Sequence, residues 1–449
     1  MATPPRTNQP RRPAAAPRTA APHTAPRPGD RTAPPASSST RPGGLATRFK
    51  LEKAFKAESP NFYLLAGVTL FTVILGLIMV LSASAVDSFL QDGGFFSGFF
   101  KQAGAAVIAL PLMLGISRLP LVFFRKWANI ALFATIGLQL LVFTPLGVES
   151  GGNRNWLDIG VQFQPSEMIK LTIAVWLGVN LPAIIDRVGP YSFRIFGGIF
   201  PVYIAMFVVL LGQDLGTVII LFAIVLGCLA FSGVAGRMIG VPLVLGALGV
   251  VFMALISPNR MARIMSFLNE NCTDYTNACW QPLHGKWALA NGGIFGVGLG
   301  QSKAKWSWLP AADNDYIFAI IGEELGMIGC MVVIALFVTL AVAFVRIIRQ
   351  AQDPMVRIVT GGIMIWIVGQ AFVNIGVVVG VLPVLGVPLP LLSSGGSALI
   401  MTLLAIGVVL SFTKEEKPIK RTRVRAQTRP QNRTRSAQPR TRQTQPGRS

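Results

Sequence analysis

Residues 62–84 read FYLLAGVTLFTVILGLIMVLSAS, and these 23 residues carry no charge. At about 1.5 Å of helical rise per residue, such a run crosses the roughly 30 Å hydrocarbon core of a bilayer. Lipid offers the backbone no hydrogen-bond partners, so the run must satisfy its own N–H and C=O groups as an α-helix. Working outward, comparable runs lie near 101–117, 127–146, 165–185, 194–211, 215–233, 238–256, 316–345, 355–380 and 394–412. The pattern predicts an all-α polytopic membrane protein, a bundle of ten transmembrane helices. The alternating polarity of a transmembrane barrel is absent. Of the 449 residues 52% are hydrophobic and only 13% charged, too little charge to cover a soluble surface of this size.

The placement of charge predicts the orientation. Arg118, Arg125 and Lys126 fall between the second and third runs, Arg187 and Arg194 between the fourth and fifth, Arg237 between the sixth and seventh, and Arg346, Arg349 and Arg357 between the eighth and ninth. Alternation puts all of these on the side of both chain ends, and the positive-inside rule makes that side cytoplasmic, hence N-in and C-in. Residues 1–60 carry eleven Lys/Arg against three acids, and residues 414–449 twelve against two, which accounts for most of the net charge of +21. Both tails are rich in Pro, Thr, Arg and Gln, cannot bury enough apolar surface to offset chain entropy, and read as disordered. Beside a bilayer their cations suit anionic lipid or a cytoplasmic partner, not specific nucleic-acid binding. The long polar N-terminus and long first run read as a retained anchor, not a cleaved signal. The membrane domain is thus expected over 61–413.

The opposite face carries the longest loops: 147–164, a large extracytoplasmic loop at 257–315 between the seventh and eighth helices, and 381–393. Their density of Trp, Gly and Pro favours order and function. Cys272 and Cys279 lie in the large loop, seven residues apart, and a disulfide there is one reading. Cys228 and Cys330 fall in apolar runs as packing residues. No P-loop and no His/Cys metal cluster is present, and the two histidines, His23 and His284, lie far apart in the chain.

Ionisable residues at this face are the candidates for chemistry. Glu167 and Lys170, three apart in QPSEMIKL, share a helix face. A helix start explains Glu167, but Lys170 works against the helix dipole. Asp214 in GQDLGT reads equally as an N-cap or as a site residue. Ser393 and Ser394 before Gly395 and Gly396 read as caps or as ligand contacts. Asp315, in ADNDYIFAIIGEELG, meets an apolar run at the outer surface; it is either a cap or a partly desolvated carboxylate with a raised pKa, suited to act as a base. Glu323 and Glu324 follow inside the apolar run, where capping cannot explain them, so at least one should face a polar cavity or a cation. Arg154, Arg260, Arg263, Lys286, Lys303 and Lys305 oppose the positive-inside bias and point to an anionic ligand such as a pyrophosphate. Trp156, Trp280, Trp287, Trp306 and Trp308 fit an interfacial aromatic belt. A lipid-pyrophosphate enzyme and a lipid or solute transporter both fit these residues.

At these residues the sequence resembles the SEDS family, the shape, elongation, division and sporulation proteins. The resemblance covers about 62–412 and rests on NRNWLDIGVQFQPSEMIKL (153–171), QDLGT (213–217), HGKWALANGGIFGVGLGQSKAKWSWLPAADNDYIFAIIGEELG (284–326) and QAFVNIGVVVGVLPVLGVPLPLLSSGGSALI (370–400). It implies a ten-helix bundle that polymerises lipid II as a peptidoglycan glycosyltransferase at the bacterial plasma membrane. It also implies a cognate class B penicillin-binding transpeptidase and other divisome membrane proteins as partners, and no cofactor. A divalent cation could assist, but no ligand set is visible. The family's essential aspartate matches Asp315, and its cavity Glu and Lys match Glu167 and Lys170. Substrate contacts are expected from Arg154, Asp214, Lys286, Gln370, Asn374, Ser393 and Ser394. The sequence departs from the family at Asp313, where His is frequent, at Tyr316 for Phe, at Gly212, and at LSSGGSA (392–398). The basic, Pro-rich tails and HGKWALANGG favour a division-type, septal protein over an elongation type. A lipid II flippase and a scaffold for division proteins are the alternatives.

Overall fold

The computed structural model describes residues 59–414 except 93, 151–152, 159, 161, 257, 269–278 and 307. The basic tails expected at 1–60 and 414–449 therefore fall almost entirely outside the described residues, and so does Cys272. The described chain runs α1 (Pro60–Asp92), α2 (Ser97–Ile116), α3 (Leu121–Leu140), three short strands, α4 (Pro165–Val188), α5 (Arg194–Gly198), α6 (Phe200–Leu211), α7 (Leu215–Ser232), α8 (Arg237–Ile256), α9 (Pro258–Leu268), α10 (Trp280–Gly292), α11 (Ile317–Gln350), α12 (Pro354–Met364), α13 (Gln370–Val379) and α14 (Gly396–Phe412). Among the described residues seven helical segments are long and apolar enough to cross a membrane, and Phe200–Leu211, Arg237–Met253 and Gly396–Phe412 are shorter apolar helices.

The core lies between helices. Ile169, Ile173 and Leu177 of α4, Ile224 and Leu229 of α7, and Ile358 and Ile363 of α12 are among its buried side chains, while α8 turns Leu243, Leu248, Phe252 and Leu255 outward. Lipid supplies little hydrophobic drive between helices, so association depends on close packing. At the α2–α14 contact, a Cβ on Gly407 would come within 2.7 Å of the Met113 carbonyl oxygen, and only glycine permits that approach.

Several expected spans and loops are built differently. The loop at 147–164 forms an antiparallel sheet ordered β1 (Gly147–Ser150), β2 (Asn153–Asp158), β3 (Gln162–Phe163). Alternation in β2 explains it, because Asn155 and Leu157 turn inward while their neighbours turn out. The fold is therefore helical with one small sheet, not strictly all-α. The loop at 257–315 contains α9 and α10. The fifth apolar run is interrupted at Ile199, between α5 and α6. The ninth carries a π turn over Ile365–Gly369 between α12 and α13.

The overlong eighth run is not one rod. Gly326 takes φ 68°, ψ −166° and breaks α11. The segment after α10 enters the break. Val297 N donates to Glu323 O at 2.9 Å and Gly298 N to Glu324 O at 3.0 Å, while Met327 N donates to Gly293 O at 2.9 Å. The break thus leaves these backbone groups paired, which is the condition for irregular backbone at membrane depth.

Candidate functional site

Asp315 lies two residues before α11. The N-cap residue of α11 is Tyr316, and no side chain caps that end. The capping explanation for Asp315 therefore fails. What holds it is its own backbone: Asn374 of α13 donates from Nδ2 to Asp315 O at 2.7 Å and to Val387 O at 2.8 Å. The preceding carbonyls are held as well. Ser393 Oγ donates to Asn314 O at 2.7 Å and accepts from Leu389 N at 2.8 Å, and Ser394 N donates to Asp313 O at 2.8 Å. Among the described residues no donor reaches the Asp315 carboxylate, so it remains available for chemistry.

The surroundings tune that carboxyl. Burial pushes its pKa up from 3.8 to about 6; the Arg263 guanidinium pulls against this, and the charges of Asp313 and Asp214 add to the rise. Gly386 lies next to both Asp315 and Arg263: a Cβ there would lie 3.6 Å from Asp315 Oδ2 and 3.9 Å from Arg263 Nη1. Its φ of 68° also requires glycine. Strain gathers here. Gln213, Ala311 and Leu391, at φ 64°, 52° and 67°, are the non-glycine residues with left-handed backbone among those described. They sit close in sequence to Asp214, Asp315 and Ser393, and such conformations persist only where the surroundings impose them.

Arg263, the cation that acts on Asp315, also lines a cavity of about 260 Å³ between α9, α10 and the chain after α13, together with Ser266, Lys286, Val377, Gly380 and Val384. Two cations on its wall suit an anion. Lys286 packs along Gly380, where a Cβ would come within 2.8 Å of Nζ. Cys279 at the start of α10 also lines this cavity and is disulfide-bonded.

Deeper in the bundle, Lys170 Nζ donates to Glu167 Oε1 at 2.6 Å and to Gln370 Oε1 at 3.4 Å, and lies 5.4 Å from the centre of the Trp366 ring. Gln370 Nε2 in turn donates to Pro388 O at 2.8 Å. Glu167, Lys170 and Gln370 are all buried. Lys170 can stand near a helix N-terminus because Glu167 and the π face of Trp366 offset the dipole.

The other expected contacts resolve differently. Asp214 is the N-cap of α7, accepting from Thr217 N at 2.9 Å and Thr217 Oγ1 at 2.7 Å. Arg154 is exposed and donates to Thr144 O at 3.0 Å, so its guanidinium braces the turn before the sheet. Ser393 and Ser394 do not cap α14, whose N-cap is Gly395 with no side-chain bond; they hold the loop before Asp315. Glu324 meets a cation, Lys305 Nζ at 3.2 Å, as expected for one of the two acids. Glu323 instead accepts from Asn291 Nδ2 at 2.8 Å and from Lys303 N at 3.2 Å.

The model of the FtsW/RodA/SpoVE family of cell cycle proteins matches residues 62–418. The chain belongs to this family. It is a multi-pass membrane protein. A Mycobacterium tuberculosis protein named "Probable peptidoglycan glycosyltransferase FtsW" is 36% identical over 392 residues, covering 86% of this chain and 74% of that protein. Stage V sporulation protein E of Bacillus subtilis is 35% identical over 369 residues, covering 80% of this chain and 98% of its own. A solved chain from a peptidoglycan synthase complex that coordinates polymerization and crosslinking superposes with TM-score 0.66 at 22% identity, over 81% of this chain and all of its own. The rod shape determining protein RodA of Thermus thermophilus gives TM-score 0.59 at 22% identity, over 81% and 99%. These two likenesses speak to the fold.

In this FtsW/RodA/SpoVE chain three residues, two next to the aspartate and one at its supporting turn, were not singled out from the sequence. Arg263 was one cation among six, and only α9 brings it to Asp315. Gly386 sits in VLGVP like an ordinary turn glycine. Gln102 left a readable signal, an amide six residues into an apolar helix, where a polar side chain needs a reason.

Proposed function

We infer that the chain is a peptidoglycan glycosyltransferase that polymerises lipid II at the outer face of the plasma membrane, with Asp315 as general base. The observation that carries this reading is a partly buried carboxyl that caps no helix, its pKa raised to about 6, sharing the Arg263 guanidinium with a cavity also walled by Lys286. At neutral pH the carboxylate is ionised and takes the proton of the acceptor sugar's 4-hydroxyl as that oxygen attacks the donor's anomeric carbon. The bond from that carbon to the lipid pyrophosphate breaks, and the leaving group carries away the negative charge. Arg263 and Lys286 are placed to stabilise it as it develops. Glu167, Lys170, Gln370 and Asn374 shape the interior beneath the site.

The membrane domain crosses ten times over residues 61–413, with both basic tails in the cytoplasm. The positive-inside distribution supports this orientation, and the seven longer and three shorter apolar helices support the count. The partner is a class B penicillin-binding transpeptidase, supported by the fold neighbour drawn from a synthase complex. The FtsW relatives support action at the division septum.

The test uses purified full-length protein with its transpeptidase and lipid II in detergent. Wild type should build glycan strands, and Asp315→Asn should lose on the order of 10²–10⁴-fold in rate. Detergent leaves no bilayer to cross, so a flippase would make no glycan in either form. Asp315→Asn at the wild-type rate would rule out the base.

A further inference from the structure

We propose that Gln102 of α2 is a positioning residue for the Asp315 carboxylate, acting through the Ser393–Gly395 turn. The proposal rests on the glycosyl transfer inferred above and adds a residue to it.

Gln102 is 3% exposed, and both ends of its amide are used. Nε2 donates to Ser393 O at 3.0 Å, and Oε1 accepts from Gly395 N at 3.0 Å. A primary amide supplies a donor and an acceptor side by side, and no charged side chain does so at neutral pH. The amide therefore grips the backbone on both sides of Ser394. That turn holds the carbonyls before the base: Ser393 Oγ donates to Asn314 O, and Ser394 N donates to Asp313 O. Asn374 holds the Asp315 carbonyl from α13. The backbone of 313–315 is thus tied to two helices, α2 through Gln102 and α13 through Asn374.

The anchor itself is firm. α2 lies against α14 at Gly407, and Gly98 N of α2 donates to Ser88 Oγ of α1 at 3.0 Å. On α1, a Cβ on Gly76 would come within 2.5 Å of the Leu391 carbonyl oxygen, so the first two helices both press on the segment that Gln102 grips. Removing the amide frees the turn without touching Asp315. Misplacing a base by about 1 Å costs on the order of 10²-fold in rate.

The experiment measures kcat and KM with lipid II on the full-length chain and its transpeptidase, from pH 5 to 8, normalised to folded protein by size-exclusion chromatography. The variants are Gln102→Ala and Gln102→Glu, with Asp315→Asn as the control. Gln102→Ala should lower kcat per folded molecule by about tenfold or more and leave KM within about threefold. Gln102→Glu can donate to Ser393 O only when protonated, so its rate relative to wild type should fall as pH rises. Glycan synthesis abolished by Asp315→Asn but retained at the wild-type kcat in both folded Gln102 variants overturns this proposal alone. A wild-type chain that makes no glycan overturns the inferred function and this proposal with it.

Discussion

Asp315 and the pair Glu323–Glu324 stand only two to three helical turns apart on one stretch of chain, yet their carboxylates live in opposite circumstances. Glu324 accepts from Ser82 Oγ at 2.7 Å and from Lys305 Nζ at 3.2 Å, and Glu323 from Asn291 Nδ2 at 2.8 Å and the Lys303 and Ala304 amides. These donors tie the 291–305 segment and α1 to α11. Around Asp315 the donors reach backbone, and the side chain is left with an electrostatic neighbour, Arg263. A carboxylate that is fully hydrogen-bonded holds structure, and one whose backbone is held while its oxygens stay open can take a proton. The same residue chemistry divides into two roles according to where the hydrogen bonds land.

The contrast breaks most sharply at Glu324. Glu324→Ala leaves Lys305 buried without its counter-ion and should cost about 3–5 kcal/mol of stability, read as a loss of folded protein in detergent. Any folded remainder should keep its turnover per molecule, because the pair bonds Ser82, the Ser302 amide and the Gly300 carbonyl and not the loop that carries Asp315. Gly386→Ala should act on the other side of the comparison. It imposes a left-handed backbone on alanine at a cost of about 1–2 kcal/mol and turns a methyl toward the Asp315 carboxylate, so turnover should fall while most of the protein stays folded.

Asp315→Asn should do the reverse of Glu324→Ala and raise the unfolding midpoint. The folded pKa of Asp315 lies above its ordinary value of 3.8, at about 6, so the folded state binds the proton more tightly than the unfolded chain does. Its ionisation therefore costs stability as pH rises from about 4 to about 6, and the full cost persists above that. Replacing it should gain about 1–2 kcal/mol at pH 7.5, allowing for partial solvent access, and the gain should fade as pH drops below the ordinary value of 3.8. The same pKa predicts polymerisation that rises as pH increases through about 6. The finest test is Asp214→Asn. Asn keeps the cap on Thr217 N but cannot accept from Thr217 Oγ1 with its amide nitrogen, so α7 should lose about 1 kcal/mol, while the lost charge lowers the Asp315 pKa. The acid limb of the rate profile should then shift to lower pH by a few tenths of a unit.

Much of the fold was legible because a membrane span depends on an unbroken run of apolar residues, which is a local property. The sheet at 147–163 and the helices at 258–268 and 280–292 were missed as elements, because such short segments, polar or mixed in composition, look like loop until the surface they pack on is known. The break in α11 escaped for a related reason: Gly326 is one of many glycines, and only the approach of Gly293–Gly298 requires its conformation. At the site, the sequence offered Asp315, Asn374, Ser393 and the Glu167–Lys170 pair through the family resemblance, but it could not show that Arg154 turns to a nearby carbonyl while Arg263 comes next to Asp315. The Arg154 guanidinium goes to Thr144 O, a partner ten residues away that no spacing rule identifies.

By itself the sequence determined the lipid-embedded helical class, the clustering of basic residues between particular apolar runs, and the candidacy of Asp315. All three follow from composition and order along the chain. Only the tertiary structure decided which polar groups were already engaged. Asp214 became a cap, Glu323 and Glu324 became fasteners, and Ser393 and Gln102 became supports for the loop before Asp315. Apart from the local cap at Asp214, these bonds join groups that folding brings together from far apart in the chain, up to 293 residues for Gln102 and Gly395, and that pairing is fixed by packing in three dimensions.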